Sequence, residues 1–485
     1  MNPSEKERLY MKSISKILCI LTILAFSFTI LATGCGSPKS NADATTQSEQ
    51  SKSTETEKAT DATKQTATIN VSVVAWQTDD GIDAATQKKT VGLNTLLTDT
   101  FYKQHPEIKL NVSAIPWENA KAKQQTLLMS NEVDVLYTAG AYATQFAQQG
   151  LLRYIDDLVE KDKSFDPGIY AEGLWDKSIS TKTLDMKNRI GLPLRIGQRM
   201  IVYDKKIFDD WGVPYLSEHP TPDEILEKAK KLTGINPKTG KQNYGIWING
   251  TDTNVTEFRA ATYYFNAPIC EGGLDDYANL NWKLNSPEMV KIMEWLAQLA
   301  QYAPPSFTTG KGNENFGKEE NNIAINTSGN GTVVMSQYRA TGKTDMIDRF
   351  IPVLHIGPNG ECHVPCDPIV MNKNAKDVDA AWEAMKFLAS YEVQKWGYEN
   401  YNWTSALKSP DFMDPKDSYL KTSLEIASKS HVEQIDVNPF FQSDVIPFIN
   451  NFLANSVKTK STSDLKGKLD ELNNKAIEWS KTYKK

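Results

Sequence analysis

An α/β fold is predicted for the body of this chain: a mostly parallel sheet with helices on both faces. Three observations lead there. Between residues 69 and 137, runs of strand composition alternate with stretches of helical periodicity. The 485 residues, 40% hydrophobic, are enough for two domains of about 200 residues with an ample core. No GxGxxG or GxxxxGK[ST] follows any of these strands, so nucleotide folds within the class lose support.

The elements follow in order. Residues 69–76, INVSVVAW, have strand composition with partial alternation. Residues 95–103 read as a helix that stops before His105-Pro106. The next strand is 108–115, IKLNVSAI, with apolar side chains at 108, 110 and 112. Residues 119–129 are helical, and 133–137, VDVLY, form a short apolar strand. Such a βαβαβ opening calls for parallel pairing and crossover helices.

Composition narrows the function. Mean hydropathy is −0.47, which excludes a polytopic membrane protein. The formal charge is −6, the wrong sign for the footprint of a nucleic-acid binder. Aromatic residues make up 10% of the chain, enough for a large core or for a cleft with aromatic walls.

Residues 1–34 read as a signal peptide with an upstream extension. Met11 opens a basic segment with Lys12 and Lys16, and an apolar run extends from Ile17 to Thr33. A transmembrane anchor is the rival reading, but no block of basic residues follows the run. Leu31-Ala32-Thr33-Gly34-Cys35 resembles a lipobox, with Ala32 where Leu is commoner. The resemblance implies cleavage before Cys35 and a diacylglyceryl group on its sulfur. Residues 35–68 carry almost no large apolar side chain, so they cannot offset their ordering entropy. A disordered, lipid-anchored linker is expected there.

The body resembles the family 1 extracellular solute-binding proteins, the lipid-anchored receptors of carbohydrate ABC importers. The segments that carry the resemblance are 133–159 (VDVLYTAGAYATQFAQQGLLRYIDDLV), 189–213 (RIGLPLRIGQRMIVYDKKIFDDWGV), 221–232 (TPDEILEKAKKL), the strand at Tyr244-Gly245, and 368–397 (PIVMNKNAKDVDAAWEAMKFLASYEVQKWG). Their order and spacing are more specific than any one of them. The similarity covers residues 69–485 and implies a two-lobed periplasmic-binding-protein-like fold with discontinuous lobes. Lobe one would be 69–195 with 352–402, and lobe two 199–351 with 403–485. Gln198 and residues near 350 would lie in a hinge of crossing strands. Two ABC permease subunits with a cytoplasmic ATPase are the implied partners. A monomer on the outer face of the cytoplasmic membrane, on a Gram-positive cell surface, is expected, with no cofactor, no metal and no nucleic acid.

Binding chemistry is sought where rings and polar groups meet at strand ends, because a sugar offers hydroxyls and weakly polar C–H faces. Trp76 with Asp79, Trp117 with Glu118, and Tyr137, Thr138, Gly140 and Tyr142 follow the first three strands. Trp247, Asn249 and Asp252 follow the strand at Tyr244, and Asp367 lies near the second crossing. Tyr398, Tyr401 and Trp403 cluster just beyond. For each ring the competing reading is a packed core. The loop 326–331 aligns with a family ligand loop but lacks its Met and its aromatic.

Cys270, Cys362 and Cys366 would remain after export. A local Cys362–Cys366 disulfide is expected, with zinc held by CHVPC as the rival and Cys270 free. No GxSxG, HExxH or CxxC pair is present, so the chain reads as a non-enzyme. The expected function is capture of a carbohydrate, an oligosaccharide by chain length, for delivery to the permease. A sugar-sensing receptor or a non-sugar solute is the alternative. A surface glycoside hydrolase has much less support.

Overall fold

The computed structural model describes residues 67–483 apart from 83–88, 172, 198, 252–254, 274, 329–334, 336–337, 339–340, 402 and 430–433. The signal segment, Cys35, the linker up to residue 66, Gln198, Asp252 and the end of the 326–331 loop lie outside the described residues. Among the described residues no helix is long and apolar enough to cross a membrane.

Two sheets organise two lobes. The strands in chain order are β1 (Ala67–Val74), β2 (Gly81–Ile82), β3 (Lys89–Thr90), β4 (Ile108–Ile115), β5 (Val135–Tyr137), β6 (Gly191–Ile196), β7 (Ile201–Asp204), β8 (Gly234–Ile235), β9 (Gln242–Trp247), β10 (Cys270–Glu271), β11 (Asn281–Trp282), β12 (Ile323–Asn326), β13 (Phe350–Val353), β14 (Cys366–Met371) and β15 (Thr404–Ser405). The first sheet runs β15-β6-β14-β5-β1-β4 and the second β13-β7-β12-β9-β8. β1 pairs in parallel with β4 and β5, as the opening pattern predicts. β14 is antiparallel to both β5 and β6, so the first sheet is mixed rather than mostly parallel. The second sheet has one parallel pair, β9 with β12. Residues 404–405, assigned to lobe two in the sequence division, pair with β6 in the first sheet.

Alternation along the strands explains the helices on both faces of the first sheet. Val135 and Tyr137 join one core with Leu192, Leu194, Ile369 and Trp382. Leu136 and Val370 join another with Leu128, Ala143 and Phe146. Lobe two is built on a single larger core that includes Trp247, Phe258, Trp295 and Phe441.

Local signals place the helices. Helix Pro222–Lys231 starts at Thr221, whose side chain accepts from Glu224 N. Pro222, Asp223 and Glu224 occupy its first turn and lysines its last, as the helix dipole favours. The Tyr203-Asp204-Lys205 turn has a physical reason as well. Asp204 caps the helix Lys205–Trp211, accepting from Lys206 N at 3.0 Å. The same buried carboxylate receives Arg349 Nε at 2.8 Å, Arg349 Nη2 at 2.6 Å and Asn321 Nδ2 at 2.8 Å. A buried charge is tolerated when so fully hydrogen-bonded.

The chain passes between the sheets over 197–200, from β6 to β7, and again over 354–365, from β13 to β14. The crossings are joined where Gly197 N donates to Pro365 O at 2.7 Å. A Cβ at Gly197 would fall 2.5 Å from Pro365 Cγ, so only glycine allows this approach. Away from the crossings, Gln148 Nε2 on helix Gly140–Gln148 donates to Tyr277 Oη of the other lobe at 3.0 Å.

Candidate functional site

The lobe-one wall is aromatic. β1 ends at Val74, Ala75 takes a positive φ of 57°, and the chain turns Trp76 inward. Its ring lies 5.0 Å from Tyr137, 5.2 Å from Trp403 and 5.5 Å from Trp396. Tyr137, the last residue of β5, donates from Oη to Asp367 Oδ2 at 2.9 Å. Arg195 on β6 donates from Nε to the same oxygen at 2.9 Å. Gly140 N, at the start of its helix, donates to Asp367 Oδ1 at 3.3 Å. Gly140 is required here, because a Cβ would collide with Ser180 and the Cys366 carbonyl.

Asp367 therefore organises the wall. It holds Arg195 with its guanidinium 5.4 Å from the Trp403 ring and 5.7 Å from the Tyr137 ring. Burial lowers the Arg195 pKa, but Tyr137 and Asp367 more than offset this and hold it above its ordinary value. Burial pushes the Tyr137 hydroxyl well above its ordinary value. Both groups keep their protons at neutral pH.

The other predicted residues of this lobe divide by direction. Trp117 is 41% exposed and meets the Tyr137 ring edge-on at 6.2 Å, so it offers a free face at the rim. Thr138 is turned into the lobe, donating to Gln124 Oε1 at 2.7 Å while Gln124 donates to Tyr137 O. Asp79 is exposed and accepts from Asn94 Nδ2 at 3.0 Å, which braces the start of helix Leu93–Asp99. Trp403 is buried against Tyr401, ring to ring at 5.3 Å.

The lobe-two wall is polar and charged. Trp247 ends β9 and Asn326 ends β12, and the two are register partners in the parallel pair. Ligands of open α/β sheets gather at such carboxyl ends. Asn326 Oδ1 accepts from Ser328 N at 2.9 Å. Thr327 Oγ1 donates to Glu257 Oε1 at 2.5 Å. His355, on the second crossing, contacts Thr327 O through Nε2 at 3.2 Å and accepts from Ile356 N at Nδ1, 2.9 Å away. Burial, with Arg199 adding to it, lowers the His355 pKa to about 4. Burial first, then Arg259 and Arg199, push His363 well below its ordinary value. Asn249 stays apart, its Oδ1 accepting from Thr251 N and Oγ1 in a local turn.

Arg195, Arg199, Glu257, Arg259, His355 and His363 were absent from the residues singled out for binding, and Asn326 entered only through the 326–331 loop. A signal for some of them exists. Arg195 is a lone charge in the buried strand GLPLRI, and Glu257 and Arg259 are buried within helix TEFRAATYY. Charges at such positions need a partner or a purpose.

The expected Cys362–Cys366 bridge is not formed; neither sulfur is in a disulfide and both are buried. No turn lies between them to bring their Cβ atoms together, and Cys366 is committed to the β14–β6 ladder. Cys362 Sγ instead faces His363 Nδ1 at 3.8 Å. Among the described residues no group of three His, Cys, Asp or Glu side chains is placed to hold a metal ion.

Known proteins share this architecture. A binding protein of Brucella abortus is 21% identical over 296 residues, 59% of this chain and 66% of its own length, so this chain spans just under two thirds of that relative. The ABC substrate-binding protein Lmo0181 of Listeria monocytogenes, solved with cycloalternan, matches with a TM-score of 0.66 at 19% identity, covering 85% of this chain and 98% of that one. The GacH receptor of Streptomyces glaucescens, solved unliganded and with acarbose, matches at 0.62 and 16%, covering 86% and 99%. The sugar-binding protein MalE of Xanthomonas citri matches at 0.64 and 17%, covering 85% and 97%. At these identities the structural likeness establishes the two-lobed fold. The profile of the bacterial extracellular solute-binding proteins matches residues 83–395, more than half of the chain. Its members bind rather than catalyse, and this chain belongs to that family.

Proposed function

We propose that the protein captures a carbohydrate between its two lobes and presents it to an ABC permease. The observation that carries this reading is the pairing of unlike walls. One presents the Trp117 ring at the rim above the Trp76, Tyr137 and Trp403 cluster, and the other presents buried hydrogen-bonding groups around Asn326 and Glu257. Rings suit the C–H faces of a sugar and polar side chains suit its hydroxyls. The cycloalternan in the Listeria structure and the acarbose in the Streptomyces structure support the reading. Closure around the ligand is a population shift driven by contacts to both lobes. The permease is a pair of membrane subunits driven by a cytoplasmic ATPase, and the protein itself does no chemistry.

A thermal-shift screen of the body, residues 67–485, against mono- and oligosaccharides tests this. At least one sugar should raise the melting temperature at saturation, because a ligand of the folded state stabilises it by mass action. Failure of every sugar beside tight binding of a peptide would overturn the assignment.

The anchor belongs to the same proposal. Cys35 carries the lipid, residues 36–66 supply reach, and the body works on the outer face of a Gram-positive cytoplasmic membrane. Cys35→Ser should release the protein into the medium with sugar binding unchanged. A variant retained with the membrane fraction would count against the anchor.

A further inference from the structure

Unmet buried donors lie where β9 and β12 end and on the second crossing. Asn326, Trp247 and His363 are 0%, 1% and 1% exposed, and Asn326 Nδ2, Trp247 Nε1 and His363 Nε2 have no hydrogen-bond partner. The Asn326 orientation is set by Ser328 N on Oδ1, which leaves the NH₂ end unmet. The His363 tautomer follows from its neighbour. Cys362 Sγ lies 3.8 Å from His363 Nδ1, and with the thiol donating to that nitrogen the ring proton is on Nε2. An indole Nε1 only donates. A buried donor left unmet is costly, and native structures keep few of them.

Acceptors nearby are already engaged. Asp367 receives Tyr137, Arg195 and Gly140, and Glu257 receives Thr327 and Ser328. Arg199 and Arg259 act on His363 and Cys362 as positive neighbours. A sugar hydroxyl must donate as well as accept, whereas a carboxylate only accepts and takes several N–H groups at once.

We infer that the ligand is an acidic carbohydrate, a uronate-bearing sugar whose carboxylate sits against Asn326, Trp247 and His363. The inference rests on the carbohydrate reading above. It concerns which sugars are chosen.

Calorimetric titration of the body tests it with D-glucuronate and digalacturonate against D-glucose and galactobiose, in a buffer free of other carboxylates. The acidic member of each pair should bind at least about tenfold tighter, the scale of one charge-assisted hydrogen bond. Asn326→Asp puts an oxygen in place of the donating nitrogen and should erase that preference while leaving the ligand-free melting temperature within a few degrees. If that variant does not fold, the wild-type comparison alone decides. Neutral sugars binding as tightly as acidic ones would overturn the inference and leave the carbohydrate reading standing. So would acetate binding as tightly as glucuronate, which would mark a site for small anions. Silence from both classes of sugar would instead overturn the carbohydrate reading, and this inference with it.

Discussion

Trp76→Ala is expected to lower the unfolding free energy by about 3–5 kcal/mol, the usual range for deleting a buried Trp side chain. The ring is 4% exposed and touches Tyr137, Trp396 and Trp403, so its removal leaves a cavity among three large rings of lobe one. Those neighbours are themselves buried and packed against one another, which limits their collapse into the gap. Trp117→Ala is the control. That ring is exposed, so the same truncation should change stability by no more than about 1 kcal/mol and weaken sugar binding by about 1 kcal/mol, the scale of one ring contact. Urea unfolding with unchanged m-values, paired with titration of a ligand found in the sugar screen, reads both effects. Equal stability losses for the two variants would show that Trp76 is not part of the core.

Acid should destabilise the fold across a defined window. The His355 ring is buried and neutral, with Nδ1 accepting from Ile356 N, so an added proton would face another donor. Its folded pKa is lowered from 6.5 to about 4, and His363 is shifted the same way. Below pH 6.5 the unfolded chain takes up a proton that the folded chain refuses. Stability is therefore complete above about 6.5 and is lost as the pH falls towards about 4, by about 3 kcal/mol for His355. His355→Asn keeps an acceptor for Ile356 N and removes the titrating ring, so its stability should fall less steeply over that window. Denaturant titrations of both proteins at pH 7 and 4.5 give the comparison. Parallel losses would mean that other groups set the acid response.

Local signals carried much of the fold. IKLNVSAI is a strand at the predicted residues because its apolar side chains alternate over one buried face. Thr221 and Pro222 start a helix where capping chemistry says one should start. The mixed first sheet was less legible. β14 joins β5 and β6 from the far side of the second crossing, and no local pattern states the direction in which a distant strand will run.

The candidate site shows the same division. Trp76 and Tyr137 were legible as strand-end rings and Asp367 as an acceptor near the second crossing, and the structure brings them together. The order of residues determined that rings and carboxylates would lie near those ends, because periodicity marks where strands stop. The tertiary structure decided which way they face. Trp76 meets Trp396 and Trp403 instead of solvent, Asp367 is engaged by Arg195 from 172 positions earlier, and Cys362 faces His363 instead of Cys366. Ring packing and charge pairing are short-range forces between groups far apart in sequence, so their outcome depends on how the two sheets and their crossings place distant backbone, which local pattern does not encode.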